Sequence, residues 1–273
     1  MARFLVVPQW QGSPSARAMA FIDGAEIIAG DLPRAACTTI EVPLEAGDAI
    51  GTGVARASAL HRIRDAVAAD LQANESDGHV VVVGGDCGVA VPAVAHVAGD
   101  DLAVVWFDAH GDLHEPDTSP SAAFAGMALR AVLGGGHPSL SLGERAIAPE
   151  RVVLAGARAL EDEEADYLDG SGIAHLSAAT FEAGELVEAV AATGAARVYV
   201  HVDLDVLDPA HVTGVADAQP FGLAPSDLVA AIAALRAVLP LAGASVTGFA
   251  PTTPAAAVDD MGTILRIIGA LAR

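Results

Sequence analysis

The sequence predicts an α/β protein: a mostly parallel sheet of about eight strands with helices on both faces, three layers in all. Three observations predict it. Short runs rich in Val, Leu and Ile recur along the whole chain. Most are apolar at successive positions instead of alternating, which is how strands covered on both faces read. Ala-rich stretches of helical length separate them, and no composition break long enough to be a linker interrupts the series, so residues 1–273 are expected to form a single domain.

The elements follow in order. Phe4–Val7 is the first strand, with a helix over Ala16–Ile28 after it. Thr39–Val42 is the second, followed by a long helix over Gly53–Ala73. Val80–Val83 precedes a helix at Val89–Val97, and Leu102–Phe107 precedes one at Phe124–Leu133. Val152–Leu154 is the next strand; Leu186–Ala192 is helical ahead of the strand Arg197–Val202. Pro225–Val238 is a helix, Ser245–Phe249 the last apolar run, and Ala255–Leu271 the closing helix.

Composition narrows the function. With 53% hydrophobic and 18% charged residues, the chain has ample material for a core, which excludes a disordered tail or a disulfide-stapled mini-protein. Thirty-five Asp and Glu face 14 basic residues, all of them Arg, for a net charge of −21. Such a surface repels nucleic acid and anionic lipid, so neither is an expected partner. It attracts cations, either metal ions or a guanidinium or amine substrate; the plainer reading is an acid-heavy solvated face. Cys37 and Cys87 cannot build a disulfide framework and suit a reducing compartment. The opening run breaks at Pro8, too early for a secretion signal, and no run approaches a membrane span; the expected location is the cytoplasm.

Three strands run into polar clusters. Val80–Val83 leads to Gly84-Gly85-Asp86-Cys87, Leu102–Phe107 to Asp108-Ala109-His110-Gly111-Asp112, and Arg197–Val202 to Asp203-Leu204-Asp205. In a parallel sheet these ends share the carboxyl edge, where open α/β folds bind ligands. A spacing of two puts Asp108, His110 and Asp112 on one face of an extended segment, and Asp203 with Asp205 likewise. Carboxylates packed this closely repel one another unless a cation compensates. A carboxylate-rich, imidazole-poor set suits hard or borderline divalent ions such as Mn²⁺. So many ligands suggest two ions sharing bridging carboxylates, a design that lowers the pKa of a bound water and belongs to hydrolases.

Together with Thr118-Ser119-Pro120-Ser121, Gly126-Met127 and the extension Val206-Leu207-Asp208-Pro209, these motifs resemble the arginase–agmatinase–formiminoglutamase (ureohydrolase) family, in order and in spacing. The resemblance implies an arginase-like sheet and two Mn²⁺ ions. By position, Asp108 and Asp203 would bridge the ions, Asp112 and Cys87 would complete one, and His110 and Asp205 the other. It also implies attack of a metal-bridging hydroxide, held by Asp108, His110 and Asp203, on a guanidinium or amidine carbon, with C–N cleavage, in a homo-oligomer of three or six chains. Glu161 and Glu164, and Ser121 before them, fall on positions that reach the substrate; the plainer reading of the two Glu is an acidic helix start favoured by the helix dipole.

The departures bear on substrate. Cys87 stands where the family has His, and a thiolate weakens the preference for Mn²⁺ at that ion. The segment Ser121-Ala122-Ala123-Phe124-Ala125-Gly126 replaces the family's Ser-Gly-Asn-x-His-Gly, so Ala125 takes the place of a proton-shuttling His, for which His114 is the candidate replacement. Gly248 stands where the family's guanidinium-pairing acid is expected. Standard arginase or agmatinase activity is therefore not expected. Two functions stay open: a hydrolase of another guanidino, hydroxyguanidino or amidine compound, and a non-catalytic metal-binding paralogue that acts as an assembly or binding protein. His61, His79, His96, His175, Trp10 and Trp106 read as packing or surface residues, with Trp10 near enough a strand end to reach the pocket.

Overall fold

The computed structural model describes residues 2–74 and 78–273. In chain order the elements are β1 (Arg3–Val7), α1 (Ala20–Gly30), β2 (Cys37–Thr39), α2 (Ala57–Ala73), β3 (Val80–Gly84), α3 (Ala90–Val97), β4 (Leu102–Phe107) and α4 (Ala128–Val132). They continue with β5 (Val152–Ala155), α5 (Asp162–Ser171), β6 (Ala174–Leu176), α6 (Ala183–Ala192), β7 (Arg197–Asp203), α7 (Pro225–Val238), β8 (Leu241–Thr247) and α8 (Pro254–Ala272). The eight strands form one sheet in the order β2-β1-β3-β8-β7-β4-β5-β6, and every neighbouring pair is parallel.

The pleat explains why β4 is apolar throughout. Along β4, Ala103, Val105 and Phe107 pack into one core with α1, α6, α7 and α8, while Leu102, Val104 and Trp106 pack into the other with α2, α3 and α4. Each strand residue therefore needs an apolar side chain whichever way it points. The sheet is the middle of three layers, as the sequence predicts. Among the described residues, no helix is long and apolar enough to cross a membrane.

Several elements differ from the sequence reading: β8 covers Leu241–Thr247 and not Ser245–Phe249, and four others differ at sites of weak patterning. β2 covers Cys37–Thr39 and not Thr39–Val42; it is an edge strand, half-exposed, with one neighbour to fix its register. β6 has no apolar run to announce it, because as the opposite edge it needs none. The stretch Phe124–Leu133 is a 3₁₀ turn at Ala125–Met127 and only then the short helix α4. Of α5, only Glu164 and Leu168 are buried, too little for an amphipathic stripe.

Candidate active site

The polar clusters after β3, β4 and β7 meet at the carboxyl edge of the sheet. Every site residue expected from the sequence lines one pocket enclosing about 190 Å³: Cys87, Asp108, His110, Asp112, His114, Ser121, Glu161, Glu164, Asp203 and Asp205. Ala125 and Gly248 line it too. Trp10 does not reach it; it packs with Ala18, Phe21 and Ala250, under the guanidinium of Arg56. His61, His79 and His175 bond elsewhere, to Ser139, Leu271 and Ala157.

The side chains converge through turns, which corrects the expectation of an extended DxHxD face. After Phe107 the chain leaves the sheet because the Asp108 carboxylate accepts the His110 N–H at 2.7 Å, closing a tight turn. Asp112 is left-handed, with φ 53°. Gly111 lies between them where a Cβ would come within 2.8 Å of Glu164 Oε1. After β7, Asp203 Oδ1 accepts the Asp205 N–H at 3.0 Å and starts a 3₁₀ turn in the same way. Asp205 Oδ1 accepts the Ala109 N–H at 3.0 Å, joining the two clusters. Arg158 anchors them from below, donating to the carbonyls of Asp205 and Gln219 at 2.9 and 2.7 Å.

Among the described residues, two sets of ligand atoms lie close enough to share an ion, and Asp108 belongs to both. Asp108, His110 and Asp205 form one, with all three atoms within 4.8 Å of one another; Cys87, Asp108 and His201 form the other. Between them, Cys87 Sγ donates to Asp203 Oδ2 at 2.9 Å, and Thr247 Oγ1 donates to the same oxygen at 3.1 Å. His110 Nδ1 lies 3.0 Å from Asp205 Oδ2 and its Nε2 3.3 Å from Asp217 Oδ2. Asp112 Oδ2 is buried with no hydrogen-bond partner.

The electrostatics are those of a site short of cations. Burial pushes the Asp203 carboxyl up to about 7, with Asp205 adding to the effect. Burial, then Asp108, raises both Asp112 and Asp205; burial also raises Asp108. Cys87 is raised by burial and by Asp112, Asp203 and Asp108. His110 is raised far above an ordinary imidazole even though burial opposes its charge, because Asp205, Asp108 and Asp217 surround it. Hard carboxylate oxygens, the imidazoles of His110 and His201, a thiol and an orphaned buried oxygen fit divalent cations, which would reverse the shifts of the groups that bind them.

Around this floor stand the pocket walls. His114 is buried, its Nδ1 3.2 Å from Thr118 Oγ1 and its Nε2 3.4 Å from Glu161 Oε2. The backbone N–H of His114 donates to the carbonyl of Gly126, which sets the imidazole beside the segment that carries Ala125. Ser121 is exposed at the rim. Glu161 is exposed, whereas Glu164 is buried and accepts the Leu113 and Glu161 N–H groups, both at 3.1 Å. Glu164 thus ties α5 to the loop of the acidic cluster.

Four residues in or around the floor were given no part in the site by the sequence reading. Trp106, read as packing, also donates from Nε1 to Asp108 Oδ2 at 3.3 Å. His201 is fully buried and stacks on Trp106 with ring centroids 3.7 Å apart. Its signal was present: two residues before Asp203 on one strand, it shares that residue's face. Thr247 ends β8 beside Asp203. Asp217 sits in an irregular loop and has no local signature.

A family model described as the arginase family matches residues 21–263. The chain belongs to the arginase family. The arginase of Bacillus subtilis (strain 168) is 37% identical over 145 residues, 50% of this chain and 49% of that one, so the match spans about half the length of each. The N(omega)-hydroxy-L-arginine amidinohydrolase of Streptomyces lavendulae is 29% identical over 166 residues, 60% of this chain and 58% of its own. Among solved structures, the Entamoeba histolytica arginase superposes with a TM-score of 0.85 over 99% of both chains at 20% identity, a likeness of fold.

Within this arginase-family frame, two of the sequence departures acquire a physical account. Gly248 is left-handed, with φ 89°, and a Cβ there would stand 2.1 Å from Asp203 Oδ1. The position admits no side chain while Asp203 keeps its place. Gly248→Ala is therefore expected to cost about 2–4 kcal/mol of stability from left-handed strain and overpacking, and Gly248→Glu to be no better. Urea denaturation of both variants checks this; unchanged midpoints would show that the loop yields freely. Ala122, where the family pattern has Gly, keeps a left-handed φ of 54°, a conformation that costs an alanine about 1 kcal/mol.

Proposed function

We infer that the chain is a metal-dependent hydrolase that cleaves a C–N bond of a guanidino, hydroxyguanidino or amidine compound, and that its substrate is not plain arginine or agmatine. The observation that carries this reading is the pair of ligand sets sharing Asp108 at the floor of a pocket. Asp108, His110, Asp112, Asp203, Asp205 and Cys87 are the residues that would hold two divalent ions, Mn²⁺ at the carboxylate-rich one. When bound, such ions supply Lewis acidity and a water acidic enough to ionise near neutral pH.

The chain's own residues supply the rest. Asp217, which faces the pocket with its side chain 69% exposed, offers a carboxylate for a cationic head group from a different loop than Gly248. Its contact with His110 Nε2 also fixes that ring so that Nδ1 turns toward Asp108 and Asp205. His114, beside Ala125, is placed to pass a proton to the departing nitrogen through Nε2, which is buried without a hydrogen-bond partner 3.4 Å from Glu161 Oε2. Glu161 and Ser121 line the outer end, where the rest of the substrate would lie. Loss of a dedicated shuttle at Ala125 favours a leaving group less basic than an alkylamine. An intracellular homo-oligomer is part of the same proposal, on family grounds.

The experiment is a panel assay on metal-replete protein, with arginine, agmatine, N-hydroxyarginine and formamidine compounds, scored for urea, hydroxyurea, formamide and ammonia. Turnover of a hydroxyguanidine or amidine at least about tenfold above arginine is expected. No product from any of them, with both ions bound, would leave the non-catalytic metal-binding paralogue as the reading that Ala125 and Gly248 favour.

A further inference from the structure

The Cys87–Asp108–His201 set has a composition that the rest of the floor lacks. A thiol, an imidazole and a carboxylate lie with one ligand atom each within 4.8 Å of the others, and all three residues are buried. His201 Nδ1 is engaged by Ser245 Oγ at 2.7 Å, while its Nε2 is buried and has no hydrogen-bond partner. A fully buried imidazole with an orphaned nitrogen loses hydrogen-bond free energy unless that nitrogen has a use. The Ser245 bond fixes the ring, and an Nδ1–H donated to Ser245 leaves the lone pair on Nε2, the arrangement of a ligating histidine. Stacking on Trp106, which itself holds Asp108 Oδ2, keeps ring and carboxylate in register.

We propose that Cys87, Asp108 and His201 form one metal position of the centre, a thiolate–imidazole–carboxylate site for a borderline ion such as Zn²⁺ or Co²⁺, with Asp203 as its fourth ligand and Asp112 available as a further carboxylate to the same ion. The imidazole absent at position 87 is thereby supplied from the neighbouring element, β7. Ligand atoms around a four-coordinate ion stand about 3.5 Å apart, so the set closes with side-chain movements of about an ångström. Asp203 Oδ2, 2.9 Å from the sulfur, needs no more. Binding expels the thiol proton to solvent and leaves a thiolate on the ion. Softer ligands here and carboxylates around His110 make the centre a mixed one, with a borderline ion at Cys87 and a harder ion at His110 and Asp205. This deepens the metal-centre reading above, and its test does not depend on turnover.

The test is cobalt and zinc loading of the full chain. Wild-type protein with Co²⁺ is expected to show a thiolate-to-cobalt charge-transfer band in the near ultraviolet, and Cys87→Ser to lose it. X-ray absorption of Zn²⁺-loaded wild type is expected to show one sulfur at about 2.3 Å with imidazole nitrogen at about 2.0–2.1 Å. His201→Gln is expected to weaken this ion about a hundredfold or more and to alter its visible bands, leaving the ion at His110 and Asp205 in place. Two bound ions with no sulfur in either spectrum overturn the proposal while sparing the two-ion reading. So does a His201→Gln protein with unchanged affinities. No bound ion at any loading overturns both. The absorption measurement uses wild-type protein alone, so the proposal stays testable if a variant fails to fold.

Discussion

Asp108→Asn is expected to strip the centre of its ions and to lower turnover about a thousandfold or more. Asp108 is the one residue common to both ligand sets. Removing its charge takes a ligand from each ion at once, and transition-state stabilisation by such ions is worth several kcal/mol; each 1.36 kcal/mol is about tenfold in rate. The substitution keeps the turn: asparagine retains a carbonyl oxygen to accept the His110 N–H, while its amide nitrogen replaces the oxygen that accepts from Trp106 Nε1, so one buried hydrogen bond is lost at a cost of about 1–3 kcal/mol. Elemental analysis of desalted protein reads the metal directly, and the best substrate of the panel reads the rate. An Asp108→Asn protein that keeps both ions and more than about a tenth of the rate would move the centre away from Asp108.

Why some of this was legible in sequence and some was not follows from how each residue is held. β3, β4 and β7 are buried on both faces, so their composition is dictated by the cores and reads out as apolar runs, interrupted in β7 by His201. The clusters that follow them stand out because carboxylates at the end of a buried strand need a partner. The edge strands β2 and β6 pack on few neighbours and leave little trace. The expected one-face geometry of Asp108, His110 and Asp112 did not hold, because Asp108 caps its own turn and ends the strand. Asp217 was invisible for another reason. It reaches His110 through the loop that Arg158 ties to Asp205, a contact between residues distant in sequence. Gly248 was legible as a departure but not as a constraint; only the 2.1 Å approach to Asp203 explains why glycine is required there.

Metal-free protein is expected to lose thermal stability as pH rises from about 4 to about 7, and divalent ions to restore it above that range. The sign follows from the carboxylates. Asp203 is raised to about 7, and Asp108, Asp112 and Asp205 are raised as well, in each case by burial first. An unfolded carboxyl ionises near 3.9, so between that pH and about 7 the folded state holds protons that the unfolded chain has released. More protons on the folded state means that stability falls with rising pH, and the loss is complete once the folded groups ionise. Self-repulsion of a chain with net charge −21 acts in the same direction. Asp203→Asn separates the two: it removes one raised carboxyl, keeps an oxygen for the Asp205 N–H that starts the turn, places its amide nitrogen beside the Thr247 hydroxyl, which can turn to accept, and leaves nearly all of the net charge. A flatter melting-temperature slope in that variant assigns the loss to the cluster. An ion at a hundred times its dissociation constant adds about 2.7 kcal/mol, so two ions are expected to raise the wild-type melting temperature by about 10 °C or more at pH 8. At pH 5 the ions must displace protons from the same oxygens, so the rise shrinks. Equal melting temperatures at pH 5 and 8 without metal, or an equal response to Mn²⁺ at both, would mean that these four carboxylates ionise independently and do not form a common cation site.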